Sequence, residues 1–211
     1  MNVLALDTAS PSPSVCLAAN GRLFEEPLSS DRRASEELLP AVERILSASG
    51  LRLEDCSRIA VCAGPGSFTG VRVGLATAWG LGRALGIPVE TVSTLEALAE
   101  SVRGGASRRV VAAIDAGRGE IVCEAFALDG ARARSLAPAR LVKREDAPGL
   151  VREGSVVALP AGLAGELDAS KGTRVAAALA LAVARAPRRG GSSVAAIYSR
   201  PSAAEEKRGP S

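Results

Sequence analysis

With 211 residues, 47% of them hydrophobic, the chain is long enough for one large domain or two small ones with an ample core. Its 26 Lys and Arg against 23 Asp and Glu leave a formal charge of +3, and aromatics are only 2%. Neither a strongly basic surface nor a set of stacking rings therefore marks it as the main reader of an RNA. It contains no histidine, which excludes Ser-His-Asp and Cys-His nucleophiles, histidine acid-base catalysis and every histidine-containing metal site.

Val3 to Leu6 is a short apolar strand ending in Asp7-Thr8, followed by a Pro/Ser turn and a second strand, Ser14 to Ala19. Asn20-Gly21 is a strong two-residue hairpin signal and returns the chain through Arg22 to Leu28. Cys16 begins a set of four cysteines, with Cys56, Cys62 and Cys123, that contains no CxxC pair and is expected to be buried and reduced. Asp7, closing the first strand, either caps the turn through its own side chain or binds a metal-bound phosphate or orients a water.

A helix follows in which Leu38, Leu39, Val42, Ile45 and Leu46 recur at helical spacing up to Gly50. Pro40 falls in its second turn, where it can bend the helix, and Glu37, Arg44 and Ser47 lie on the wet side. Ser57 to Ala63 reads as a buried strand leading into GPGSFTG. There Pro65 fixes one φ, Gly64, Gly66 and Gly70 relax the backbone, and Ser67 is placed to cap a helix starting near Phe68. The loop lacks the Lys-Ser/Thr of a phosphate-binding loop and is not GxGxxG, so it signals phosphate only weakly.

This helix is the unusual element. Val71, Leu75, Ala78, Gly82 and Leu85 share a core-facing stripe, yet the opposite side carries Val73, Ala76, Gly80 and Ala84, wetted only by Arg72, Thr77 and Arg83. Gly74, Gly80 and Gly82 inside it each cost up to about 1 kcal/mol relative to Ala. We read the helix as covered on both sides, by its own sheet and by a partner protein whose close approach offsets the glycines.

Ile87 to Val92 is the next strand, and Ser93 to Val102 a helix with Ser93 and Glu96 at capping-box spacing. The polar break RGGASRR, 103–109, divides the chain. Val111 to Asp115, a turn with Gly117 and Gly119, and the strand Glu120 to Ala127 repeat the opening order of strand, Asp, turn, strand. Asp129-Gly130 turns into Ala131 to Val142, 143–154 reads as loop, and Ser155 to Leu159 as a short strand. Thr173 then caps an Ala/Leu helix that Pro187 ends. The expected units are 1–106, 107–193 and a C-terminal segment 194–211 that packs back on the first unit before fraying. With no run approaching eighteen apolar residues and no basic leader before the first strand, a soluble cytoplasmic protein is expected.

Two halves that each open with antiparallel strands and an Asp, then alternate helices and strands, look like the actin-like ATPase (RNase H-like) α/β fold. LALDTA, SEELLP, GPGSFTGVRVG, VSTLEAL, AAIDAGRGEI and the closing IYSRP together resemble the bacterial TsaB (YeaZ) family from Asn2 to Pro201, most specifically at GPGSFTGVRVG. The resemblance implies a degenerate relative of TsaD, which attaches threonylcarbamoyl to the adenosine beside the anticodon of tRNAs reading ANN codons. Such a relative would be a non-catalytic dimerisation partner of TsaD acting with the ATPase TsaE. It would dock through its first two helices, here with Leu39, Glu43, Leu46, Arg72, Val73, Ala76, Thr77, Trp79, Gly80 and Arg83, and would form a homodimer through the same surface when alone. TsaD's His-x-x-x-His metal pair has no counterpart here, and the family's common His before Ser-Glu is Ala34, so no role for it carries over.

No tightly bound cofactor or metal is expected, with ATP or ADP entering only in the assembled complex. Asp7, Gly64 and Gly66 would be a vestigial nucleotide site. The alternative is a working ATPase or kinase of the same fold, with Asp7 and Asp115 as its carboxylates and Gly64 to Gly66 touching nucleotide. A direct tRNA contact would rest on Arg103, Arg108, Arg109, Arg188 and Arg189 alone, so tRNA is expected only indirectly.

Overall fold

The computed structural model describes residues 1–29, 34–104, 109–146, 155–158 and 175–185. Among these residues there are two five-stranded sheets. In the first, β1 (Val3–Asp7), β2 (Ser14–Ala19) and β3 (Arg22–Pro27) form an antiparallel meander. The helix α1 (Ala34–Ser49) and a short 3-10 turn (Leu53–Asp55) lead to β4 (Arg58–Cys62), which lies parallel to β1; α2 (Phe68–Leu85) leads to β5 (Val89–Val92), parallel to β4. The strand order is β3-β2-β1-β4-β5. Every residue of β1 and β2 is buried, as strands covered on both faces must be.

The chain then forms α3 (Thr94–Ser101), β6 (Arg109–Gly117), β7 (Glu120–Ala127), β8 (Arg134–Ser135), β9 (Arg140–Lys143), β10 (Ser155–Ala158) and α4 (Val175–Arg185). In the second sheet β10 runs parallel to β6, β6 antiparallel to β7, and β8 and β9 pair with opposite ends of β7. The order β10-β6-β7 therefore reproduces β4-β1-β2 in partner and direction. The repeat read from the sequence is a repeat of sheet topology.

Both hairpin tips use a two-residue turn with positive φ at each position: Asn20 (52°) and Gly21 (74°), and Arg118 (58°) and Gly119 (74°). This geometry matches the twist of the strands it joins. The segment expected as one strand from Ala131 to Val142 is instead the two short strands β8 and β9. The chain leaves β7's edge between them, with Leu136 N donating to Ala125 O at 2.8 Å.

α1 and α2 cover one face of the first sheet, while α4 packs on β1, β2 and β4. α3 lies against α4 and the strands of the second sheet, with Thr94 to Glu100 all buried. The second half thus supplies the helix that closes the first sheet, and one core runs through both.

Two of α3's buried residues are glutamates. Glu96 Oε1 accepts from Arg132 Nε at 3.0 Å, and Arg132 also binds Glu90 of β5. Glu100 accepts from Arg103 Nε (2.6 Å) and Nη2 (2.8 Å), from Arg185 Nη2 (2.6 Å) and from Ala133 N. Burial alone would raise the Glu100 carboxyl, but these hydrogen bonds and arginine charges hold it below its ordinary value. At the base of β4, Arg58 Nη1 donates to Val183 O of α4 at 3.0 Å. Ser93 caps α3 by accepting from Leu95 N at 3.2 Å, while Glu96, expected to complete a capping box, is bound to Arg132. Arg103, expected as an exposed cation, is bound to Glu100 and to the carbonyls of Leu128 (3.3 Å) and Gly130 (3.0 Å).

The four cysteines are buried, and none is in a disulfide. Among the described residues no helix is long and apolar enough to cross a membrane. The expected cap Thr173, the stop at Pro187, Arg108, Arg188, Arg189 and the segment 194–211 lie outside the described residues.

Candidate functional site

The start of α2 and the turn after β1 are built around each other. Ser67 Oγ accepts from Gly70 N at 3.1 Å as the helix cap, Ser67 N donates to Ala9 O at 2.9 Å, and Thr8 Oγ1 donates to Gly70 O at 2.6 Å. A Cβ at Gly70 would lie 1.8 Å from Thr8 O, and one at Gly74 would lie 2.5 Å from Thr8 Oγ1. Further along, a Cβ at Gly82 would meet Val89 Cγ2 at 2.4 Å and Ile87 O at 2.7 Å. The expectation that Gly74 and Gly82 serve a partner is thus corrected. They let the helix sink onto its own sheet, and the burial of Gly70, Val71, Gly74, Leu75, Ala78 and Gly82 marks that inner side. Gly80 differs: a Cβ there meets nothing within 4 Å.

Asp7 is fully buried beneath this contact. Its Oδ1 accepts from Ala9 N (3.0 Å) and Ser10 N (3.1 Å), and its Oδ2 accepts from Ser10 Oγ (2.5 Å). Burial raises its pKa, only partly offset by the hydrogen bonds from Ser10, Ala9 and Cys62. The Cys62 thiol is pushed up by burial and by the Asp7 charge, which keeps its proton on sulfur to donate. Both oxygens of Asp7 are occupied by the turn that follows it. Gly64, joined to Pro65 by a cis peptide, is buried, while Gly66 is exposed.

Asp115, the counterpart of Asp7, is exposed. It accepts from Gly117 N and Arg144 Nη2, each at 2.6 Å, beside a shallow hollow lined by Arg118, Gly119, Glu120, Lys143, Arg144 and Glu145. Among the described residues no group of three or more Cys, Asp or Glu is placed to hold a metal ion.

The outer side of α2 and the adjoining α1 expose several large apolar side chains. Trp79 is 57% exposed, Leu39 47% and Phe68 37%. Arg72, Ala76, Gly80, Arg83 and Ala84 are exposed around them, with Val73 and Thr77 half-buried. On α1, Leu38, Ala41, Val42 and Ile45 point inward and Leu46 is half-buried. Leu39, read also as part of the inward stripe, turns out instead beside exposed Pro40 and Glu43. Leu85, expected in the core stripe of α2, is 37% exposed at the helix end. Phe68 was missed as a member of this face. The Arg72 guanidinium lies 3.7 Å from its ring centroid, and the signal was its place four residues before Arg72.

A mixed sheet in the order β3-β2-β1-β4-β5 and a second that repeats its β4-β1-β2 core as β10-β6-β7, with flanking helices, define an actin-like, RNase H-like α/β protein, here with an open two-helix face. Residues 26–187 match the family described as TsaD, tRNA N6-adenosine threonylcarbamoyltransferase. The chain is 41% identical over 122 residues to the tRNA threonylcarbamoyladenosine biosynthesis protein TsaB of Escherichia coli K12, covering 57% of this chain and 53% of that one. It is 36% identical over 104 residues to the protein of the same name in Bacillus subtilis 168, covering 49% and 45%. These matches span about half the length of those relatives. The solved structure of YeaZ from Pseudomonas aeruginosa superposes with a TM-score of 0.76 at 30% identity, covering 93% of this chain and 99% of that one. The chain belongs to the TsaD family and, within it, to the TsaB (YeaZ) branch.

Proposed function

We propose that this chain is the docking subunit of a tRNA threonylcarbamoyladenosine-forming complex. It holds TsaD through α1 and α2, works beside TsaE in the cytoplasm, and does no chemistry itself. The observation that carries the reading is the outer face of α2, where Ala76, Trp79 and Gly80 stand open to water, with Leu39 exposed on the adjoining α1. A single chain gains nothing from leaving an indole and a leucine outside, whereas a partner helix laid against them removes both from water. Gly80 leaves room for that helix to come close. The absence of histidine and the closed turn around Asp7 both support a binding role over a catalytic one. In this reading ATP or ADP binds only once the complex has formed, tRNA is met only through TsaD, and the same face pairs two copies when TsaD is absent.

The test is co-elution with TsaD from the same genome at micromolar concentration, followed by tRNA modification with and without this chain. A shared peak and modification that depends on this chain are expected. Ala76→Arg, on an exposed position, is expected to abolish both while leaving the unfolding temperature unchanged, because its charge is desolvated only in the complex. Separate elution of the wild-type pair overturns the reading.

A further inference from the structure

We propose that the salt bridge between Arg132 and Glu90 is a latch that stops the two halves of the chain from turning about α3. It holds whatever binds to α1 and α2. The fold divides into two bodies that meet along α3. One is the first sheet with α1, α2 and α4, since α4 packs on β1, β2 and β4; the other is the second sheet with α3, which packs on β6, β7 and β10. At the start of α3, Thr94 N donates to Gly64 O of the first body at 2.8 Å. At its last turn, Glu100 Oε2 accepts from Arg185 Nη2 of α4 at 2.6 Å, and Arg185 Nε lies 3.5 Å from Ala131 O. Rotation about the line through these two joints leaves both whole. They are the ends of a hinge with α3 as its pin, and packed bodies joined in this way change shape by turning about such a line.

A third joint lies off the pin. Arg132, in the turn between β7 and β8, donates from Nε to Glu96 Oε1 of α3 at 3.0 Å and from Nη1 to Glu90 Oε1 of β5. The first of these bonds stays inside the second body, whereas the second crosses to the first. Only 6% of the Arg132 side chain and 11% of the Glu90 side chain are exposed. Arg58 Nη1 lies 3.7 Å from Glu90 Oε2 and steadies that carboxylate on its own sheet. Turning about α3 draws Arg132 from Glu90 while both are still shielded from water, and charges parted there lose their attraction before solvation replaces it. The halves therefore keep one relative orientation.

The experiment is double electron-electron resonance on the full chain, with spin labels on Ser47→Cys of α1 and Lys143→Cys of β9, both exposed positions. An excess of unlabelled chain restricts the reading to distances within one molecule, and the four native cysteines are buried. The labelled chain is compared with the same chain carrying Glu90→Ala or Arg103→Gln. Arg103 binds Glu100 and the carbonyls of Leu128 and Gly130, all in the second body, so its loss weakens the fold without touching the latch. One narrow distance is expected in the unaltered chain and in Arg103→Gln. Glu90→Ala is expected to broaden the distribution at least about twofold or to add a second distance. Should circular dichroism show Glu90→Ala unfolded, Glu90→Gln takes its place under the same criteria. A broad or double distribution in the unaltered chain overturns the latch, as does a narrow one in the Glu90 variant. Equal broadening in Arg103→Gln overturns it too, because the loosening would then be general.

Discussion

The turns that follow Asp7 and Asp115 sit at matching places in the two sheets, each leaving a central strand that has a parallel neighbour on one side and an antiparallel one on the other. Their surroundings are opposite. The first is pinned beneath the start of α2, which takes Thr8 as a hydrogen-bond donor and Ala9 as an acceptor and puts Asp7 out of reach of water. The second has no described helix against it, and Asp115 stays exposed, bound to Arg144. A duplicated strand-Asp-turn pattern thus fixes backbone topology, whereas the task of the carboxylate is set by the helix that does or does not close over it.

The largest effect that tests this contrast is a methyl group placed between turn and helix. Gly70→Ala brings its Cβ to within 1.8 Å of the Thr8 carbonyl, backbone against backbone, with no side chain to move aside. A loss of about 3 kcal/mol or more is expected from such overpacking. At the other turn Gly119→Ala meets nothing within 4 Å and carries only the cost of its 74° φ, about 1 kcal/mol. Urea unfolding of the two variants decides it; comparable losses would mean that α2 does not clamp the first turn.

Next come the two aspartates. Asp7→Ala removes the acceptor for two buried N–H groups and the Ser10 hydroxyl, and a loss of about 2 to 3 kcal/mol is expected. Asp115→Ala loses an exposed pair and is expected to cost about 1 kcal/mol or less. Asp7→Asn separates the hydrogen bonds from the charge. The amide oxygen still accepts from Ala9 and Ser10, and the amide nitrogen can donate to Ser10 Oγ. Because burial raises the Asp7 pKa in the fold, the native state holds that proton more tightly than the unfolded chain does. Wild-type stability therefore falls as pH rises from the unfolded value near 3.9 through the folded one. Measured across that window, Asp7→Asn should gain on the wild type with rising pH and then level off. A gain that appears on acidification instead would reverse the assignment.

Much of this architecture is legible in the chain because its determinants are local. The strands from Ser14 to Ala19 and Glu120 to Ala127, the Ser67 cap and the start of α2 at Phe68 all follow from alternation, turn residues and capping within a few positions. What was not legible depends on approach between distant segments. Gly74 meets Thr8 and Val61, and Gly82 meets Val89 across the helix's return to β5, so nothing near either glycine says which neighbour it admits. Glu96 reads as the acid of a capping box, but its arginine is Arg132, 36 positions on, and Glu100 takes Arg185 of α4, 85 positions away, besides the nearby Arg103. Leu39 and Leu46 match the helical period as well as Leu38 and Ile45 do. Only the packing of α1 on β2 and β3 decides that Leu39 faces out. The apolar character of the outer face of α2 is legible in its composition, where only Arg72, Thr77 and Arg83 interrupt small and apolar residues.

The smallest effect probes whether the two sides of α2 differ as the two turns do. Gly80→Ala adds a methyl group where the fold has open space, so the isolated chain should gain about 0.5 to 1 kcal/mol from helix propensity alone. A partner helix lying against Gly80 would meet that methyl group, and binding should weaken even as the monomer grows more stable. Thermal unfolding and TsaD titration on the same variant read the two quantities separately. A gain in stability with unchanged binding would move the contact away from Gly80, toward Trp79 and Arg83. A loss of stability would mean that the glycine is already crowded, and the inner and outer sides of the helix would then obey one rule.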